Sequence, residues 1–214
     1  MGLLDRLAPR RAETEPLPSP SASGDDSVYA TKALRKLLGA LTATPAPVLL
    51  DLGPVVGSNV SFFGEQIGCK IFVEDIYADL ERHLREGAID QFPAFLQRRF
   101  HQGAGTVDGV LCWDILDYLD KPSARVLATE LMRMLRPDGA LLGFFANAAT
   151  QDSRYTKYVI VDEGNLKYRP YPATRPRRAP LPNGEIIKLF SGMRVAESFL
   201  LLNNLREILF RNSA

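Results

Sequence analysis

The feature that most constrains this chain is one ten-residue stretch, Val48-Leu49-Leu50-Asp51-Leu52-Gly53-Pro54-Val55-Val56-Gly57. Residues 48–52 form an apolar run of strand length, and the glycines and proline that follow break it. Val60, Phe63 and Ile67 then recur at helical spacing, and Gly68 ends that helix before a second apolar run at 69–73. A strand, a glycine turn, a helix and a second strand in this order predict a βαβ unit, whose crossover makes the two strands parallel.

The same alternation continues downstream. A charged helix is expected at 79–86, a weak strand at 95–100 and a strong strand at 107–113. An amphipathic helix follows at 124–135, with Val126, Leu127, Leu131 and Leu135 facing inward. Pro137-Asp138-Gly139 then turns the chain into a strand at 140–145. Strands that read as continuous apolar runs between helices imply a mostly parallel sheet covered on both faces. Upstream, Ser27 is expected to cap a helix carrying Ala30, Leu34, Leu37, Leu38 and Leu41. Residues 158–161 and 166–171 bracket Asp162-Glu163-Gly164-Asn165 as a hairpin, and Asn183 is expected to cap a short helix to Phe190. Strands at 195–202 and 207–210, joined across Asn203-Asn204, close the chain as an antiparallel pair.

Residues 9–26 are rich in Pro, Ser, Ala and acidic groups and hold too little apolar surface to offset ordering entropy. The organisation expected is a disordered tail over 1–27 and a single domain over 28–214, with 157–182 as an inserted hairpin and a basic, Pro/Arg-rich loop. With 214 residues, only one full domain fits. The formal net charge of +1 gives no electrostatic reason to expect DNA or an anionic membrane as partner. No apolar stretch reaches the ~20 residues of a membrane span. The two cysteines, Cys69 and Cys112, sit in apolar runs and form no disulfide framework, so a cytoplasmic setting is expected. His83 reads as a solvated helix position, and His101 has no partner at metal-ligand spacing, so no metal site is expected.

In an open α/β sheet, ligands bind beyond the carboxyl ends of the strands, where the first strand turns into its helix. Asp51, Gly53 and Gly57 stand at that turn. The glycines permit close backbone approach, the helix start presents free N–H groups, and an acid at 51 suits a ligand bearing cationic groups. Glu74, at the end of the second strand, is placed to accept both hydroxyls of a ribose, and the neighbouring Asp75 could do the same.

Residues 47–146 resemble the class I S-adenosylmethionine-dependent methyltransferase superfamily. Asp51-Leu-Gly-Pro-Val-Val-Gly57 is similar to its first motif and Val73-Glu74-Asp75 to its second. Residues 107–119 resemble the fourth-strand segment, and 130–144 the helix, turn and fifth strand after it. The resemblance implies a Rossmann-like three-layer sandwich with a seven-stranded, mostly parallel sheet, order 3-2-1-4-5-7-6, ending in an antiparallel C-terminal hairpin. It implies S-adenosylmethionine as cofactor, held by Asp51, Gly53, Gly57, Glu74 and Asp75; from their place at the end of the fourth strand, Asp114 or Trp113 is expected to contact it as well. Two positions depart from the family pattern. Val55 stands where a third glycine is usual, and is expected to stiffen the loop and crowd the methionine end. No acid follows the expected third strand, which leaves Gln97 for the adenine side.

In-line methyl transfer from a sulfonium needs positioning, and a base only for an acceptor that carries a proton. Asp117 and Tyr118 are the candidates for facing an acceptor, whose identity the sequence does not specify. The basic segment with Arg175, Arg177 and Arg178 is a candidate contact for an acidic partner. Two other readings stand beside methyl transfer. One is a methyltransferase-like scaffold that has lost catalysis and binds a partner protein. The other is a nicotinamide-dependent oxidoreductase, whose glycine spacing fails at Val55.

Overall fold

The computed structural model describes residues 27–147, 154–173, 180–201 and 203–213. Its strands are β1 (Val28–Ala30), β2 (Val48–Asp51), β3 (Lys70–Val73), β4 (Val107–Trp113), β5 (Leu135–Ala146), β6 (Arg154–Asp162), β7 (Asn165–Pro172), β8 (Met193–Leu200) and β9 (Leu205–Asn212). Its α-helices are α1 (Ala33–Leu41), α2 (Gly57–Ser61), α3 (Ile76–Arg85), α4 (Phe92–Arg99), α5 (Lys121–Met134) and α6 (Asn183–Leu189).

The main sheet runs β3-β2-β4-β5-β9-β8. β3, β2, β4 and β5 are parallel, β9 runs antiparallel to β5, and β8 pairs antiparallel with β9. Successive strand residues point to opposite faces, which divides the core in two. Leu49, Leu111 and Leu142 pack under α1, whereas Leu50, Val110 and Leu141 join the core built with α3, α4 and α5. Gly109 of β4 lets α1 come close, since a Cβ there would lie 2.8 Å from Leu41. The hairpin β6–β7 leaves the main sheet and, with β1, forms a separate sheet ordered β1-β7-β6.

The structure corrects the expected seven strands to six among the described residues. Residues 92–99, which include most of the expected third strand, are helix α4. Pro93 suits the first helical turn, and Phe92 and Leu96, four residues apart, are both buried on one face. β3 is therefore an edge strand, and the exposed Lys70 at its start discourages further pairing. Ser27 does not cap the first helix. Residues 28–30 pair instead with β7, and α1 begins at Ala33. The cap comes from far along the chain: Glu207 of β9 accepts the Lys32 and Ala33 N–H groups, each at 3.0 Å. Within the first βαβ unit, α2 passes into a π-helical turn over Phe62–Gln66, which lets the consecutive Phe62 and Phe63 both reach the core. His83 is not solvated. It is buried, its Nδ1 lies 2.7 Å from the Asp79 carbonyl, and its ring packs against Phe92 and Phe95.

Candidate cofactor site

The carboxyl ends of β2, β3 and β4 bring Asp51, Glu74 and Trp113 together. The β2–β3 ladder runs one residue past the strands, with Glu74 N donating to the Asp51 carbonyl at 2.7 Å. On the other side, Leu52 N donates to the Leu111 carbonyl at 3.0 Å. These bonds hold the start of the glycine loop between two parallel strands.

The Asp51 side chain points into the molecule and is 3% exposed. Its Oδ1 accepts from Gly53 N at 2.9 Å and from the Trp113 indole N–H at 2.6 Å. Burial raises its pKa from the ordinary 3.8 to about 6, against the two hydrogen bonds and with a small further push from Asp75. Trp113 sits at φ +47°, a left-handed conformation that is costly for a large side chain. Its ring stacks on Tyr158 of β6 at 5.0 Å and 6°, and meets Phe144 of β5 edge-on. Gly53 has no room for a side chain because the indole is there: a Cβ would lie 2.8 Å from Trp113 Cδ1.

Strand β6 forms one wall of this site through Tyr155, Thr156 and Tyr158. Asn59 of α2 donates to the Tyr158 carbonyl and accepts from Ile160 N, both at 2.8 Å, which ties the glycine-loop helix to β6. Tyr155 of β6 stacks on Tyr77 of α3 at 4.1 Å. The remaining cavity, about 20 Å³, is lined by Gly53, Tyr77, Trp113, Asp114, Tyr155 and Tyr158 among others.

Glu74 is also engaged. Its Oε2 accepts from Arg99 at 2.5 Å and its Oε1 from Gln102 at 3.2 Å, and Arg99 also donates to Asp79 at 2.7 Å. Asp75 caps α3 by accepting from Ala78 N at 2.9 Å, and burial raises its pKa. Gly57 is exposed at the start of α2. Val55 is 68% exposed on the loop. Gln97 is exposed on α4, because the segment is helical where a strand was expected. Asp114 is buried and lines the cavity. Asp117 accepts from Ala146 N at 2.8 Å, and the Tyr118 hydroxyl donates to the Arg154 carbonyl at 3.0 Å. Both are buried behind the cavity and do not line it. Arg175, Arg177 and Arg178 lie outside the described residues.

Sequence reasoning missed Tyr77, Tyr155, Tyr158, Asn59 and Arg99. The first three were visible only as aromatics in a helix and a hairpin, with no local sign that they meet at Trp113.

No protein-family model and no curated protein matches the sequence. Among solved structures, the PH0226 protein of Pyrococcus horikoshii OT3 is similar at 17% identity over 85% of this chain and 89% of that one, with a TM-score of 0.53. A SAM-dependent methyltransferase from Aquifex aeolicus is similar at 13% identity over 83% of this chain and 88% of that one, with a TM-score of 0.50. Among the described residues no helix is long and apolar enough to cross a membrane. The chain has the Rossmann-like fold of the class I S-adenosylmethionine-dependent methyltransferases.

Proposed function

We propose that this protein binds S-adenosylmethionine at the β2–α2 turn and transfers its methyl group to an acceptor still to be identified. The observation that carries this reading is the pairing of Asp51 and Glu74, two carboxylates on adjacent parallel strand ends beside a glycine turn. Asp51 would face the cationic amino-acid end of the cofactor, and Glu74 the ribose hydroxyls. Asp114, just past β4, lines the cavity beside Trp113 and would contact the cofactor from there. For both anchors to act, a ligand has to reach Asp51 beside the Trp113 indole, which is bonded to Oδ1, and the Arg99 guanidinium must share Glu74. Transfer itself is an in-line displacement, so alignment of the acceptor is the main demand on the protein.

One observation favours a second reading, a methyltransferase-like scaffold without catalysis that binds a partner protein. Both cofactor anchors already accept hydrogen bonds from side chains of the chain itself, and the cavity beside Trp113, about 20 Å³, is lined by neither of them. Calorimetric titration with S-adenosylhomocysteine separates the two. The enzyme reading expects saturable binding that Asp51→Ala or Glu74→Ala weakens by about tenfold or more. No heat at millimolar ligand would sink it in favour of the scaffold.

A further inference from the structure

A second concave site lies on another part of the molecule, between α5 and α6. It is a cavity of about 490 Å³, within the ~300–1,000 Å³ typical of small-ligand pockets, and it shares no lining residue with the cavity at Trp113. Its apolar side is made by Leu119, Met132, Leu181 and Leu189. The last three are partly buried hydrophobics that pack on the core and keep a face toward the groove.

The rim is basic. Lys121 and Arg125 stand one helical turn apart on α5, and Lys188 faces them from α6. Glu185 is the only acid lining the groove among the described residues, and Lys121 engages it at 3.4 Å. Among the described residues, neither Arg125 nor Lys188 has an ion-pair partner. The uncompensated charge of the groove is therefore carried by these two exposed cations above an apolar floor.

We propose that this groove binds a small amphipathic anion, with a carboxylate, sulfonate or phosphate head at Arg125 and Lys188 and a compact apolar body against Met132 and Leu189. A bare inorganic anion would leave the floor wet, and a cation of the same shape would meet like charge. A docked helix would need a far longer contact, since stable protein interfaces bury about 800 Å² per partner. The site is independent of cofactor binding at Asp51.

The test uses the full chain and three probes: 1-naphthalenesulfonate, the cation 1-naphthylmethylammonium, and sulfate. The sulfonate is expected to bind saturably with a Kd at or below about 1 mM. Amide chemical-shift changes should cluster on α5 and α6. Arg125→Glu with Lys188→Glu should weaken binding by about tenfold or more. Met132→Trp should block the floor and do the same with the charges intact. All these positions are exposed or only partly buried, so circular dichroism should confirm an unchanged fold. Saturating S-adenosylhomocysteine should leave the sulfonate affinity unchanged, which keeps this result separate from the fate of the methyltransferase reading.

The proposal is overturned by absence of saturation up to about ten times that concentration, or by equal binding of the cation or of sulfate. It is equally overturned by shifts centred on residues 51–57, or by affinity that both variants leave unchanged. Binding of an acidic amphipathic peptide to α5 and α6 without binding of the sulfonate would make the groove a protein-docking surface and reject the small-ligand assignment.

Discussion

The Trp113 indole donates a 2.6 Å hydrogen bond to Asp51, the last residue of β2, two before Gly53 of the glycine turn. The bond joins two strands, crosses the space above Gly53, and is made by a tryptophan in a left-handed backbone conformation. A hydrogen bond to a buried carboxylate is stronger than a neutral one, and it supports a backbone geometry that costs on the order of 1–2 kcal/mol by itself.

Trp113 is the chain's single tryptophan, so intrinsic fluorescence reports directly on this contact. Emission from native protein is expected to change with pH around a midpoint near 6, as Asp51 exchanges its proton beside the indole. Asp51→Asn should remove the transition. A wild-type profile that is flat between pH 4.5 and 7.5, about the expected midpoint, would show that the carboxylate does not titrate there.

The same carboxylate links stability to pH. An unfolded chain loses the Asp51 proton near 3.8 and the folded chain near 6. Between these values the folded state holds the extra proton, so stability falls as pH rises through the window, and the loss is complete above about 6. Asp51→Asn should therefore stabilise the protein relative to wild type at pH 7.5, by at most about 3 kcal/mol, with little gain at pH 3.5. Thermal melts of the two proteins at both pH values check the sign, and a larger gain at the lower pH would reverse it.

Gly53→Ala is expected to destabilise the fold by about 1–3 kcal/mol, because the new methyl would meet the indole at 2.8 Å and Asp51 Oδ1 at 3.2 Å. Combining it with Trp113→Ala should cost less than the sum of the two single changes. Denaturant melts arranged as a double-mutant cycle measure that coupling, and strict additivity would mean the two residues do not compete for the space.

Glu207→Ala should lower stability by roughly 1–2 kcal/mol through loss of the cap on α1. Glu207 is fully buried and its Oε2 accepts two backbone N–H groups at the helix start. Native-state hydrogen exchange should show faster exchange at Leu34 and its neighbours than in β5. Uniform acceleration across the whole domain would argue that Glu207 serves the sheet and not the helix.

What the sequence by itself determined is whatever depends on near neighbours. The apolar runs of β2, β3 and β4, the glycine turn after Asp51 and the amphipathic face of α5 follow from side-chain periodicity, which acts over one or two turns of chain. The antiparallel pair β8–β9 was legible for the same reason, from two apolar runs around Asn203-Asn204. At 92–99, short-range evidence was ambiguous. Phe92, Phe95 and Leu96 fit a strand or a helix, and packing of α4 on α5 decided for the helix, which removed the seventh strand and turned Gln97 outward. The site needed the tertiary structure most. Asp51 and Trp113 are 62 residues apart, Glu74 and Arg99 25, and Ala33 and Glu207 174. None of these pairs leaves a local pattern, because each is formed by the way strands and helices distant in sequence pack together. The sequence placed acids where a cofactor could be held, and only the folded arrangement revealed that an indole and a guanidinium already hold them.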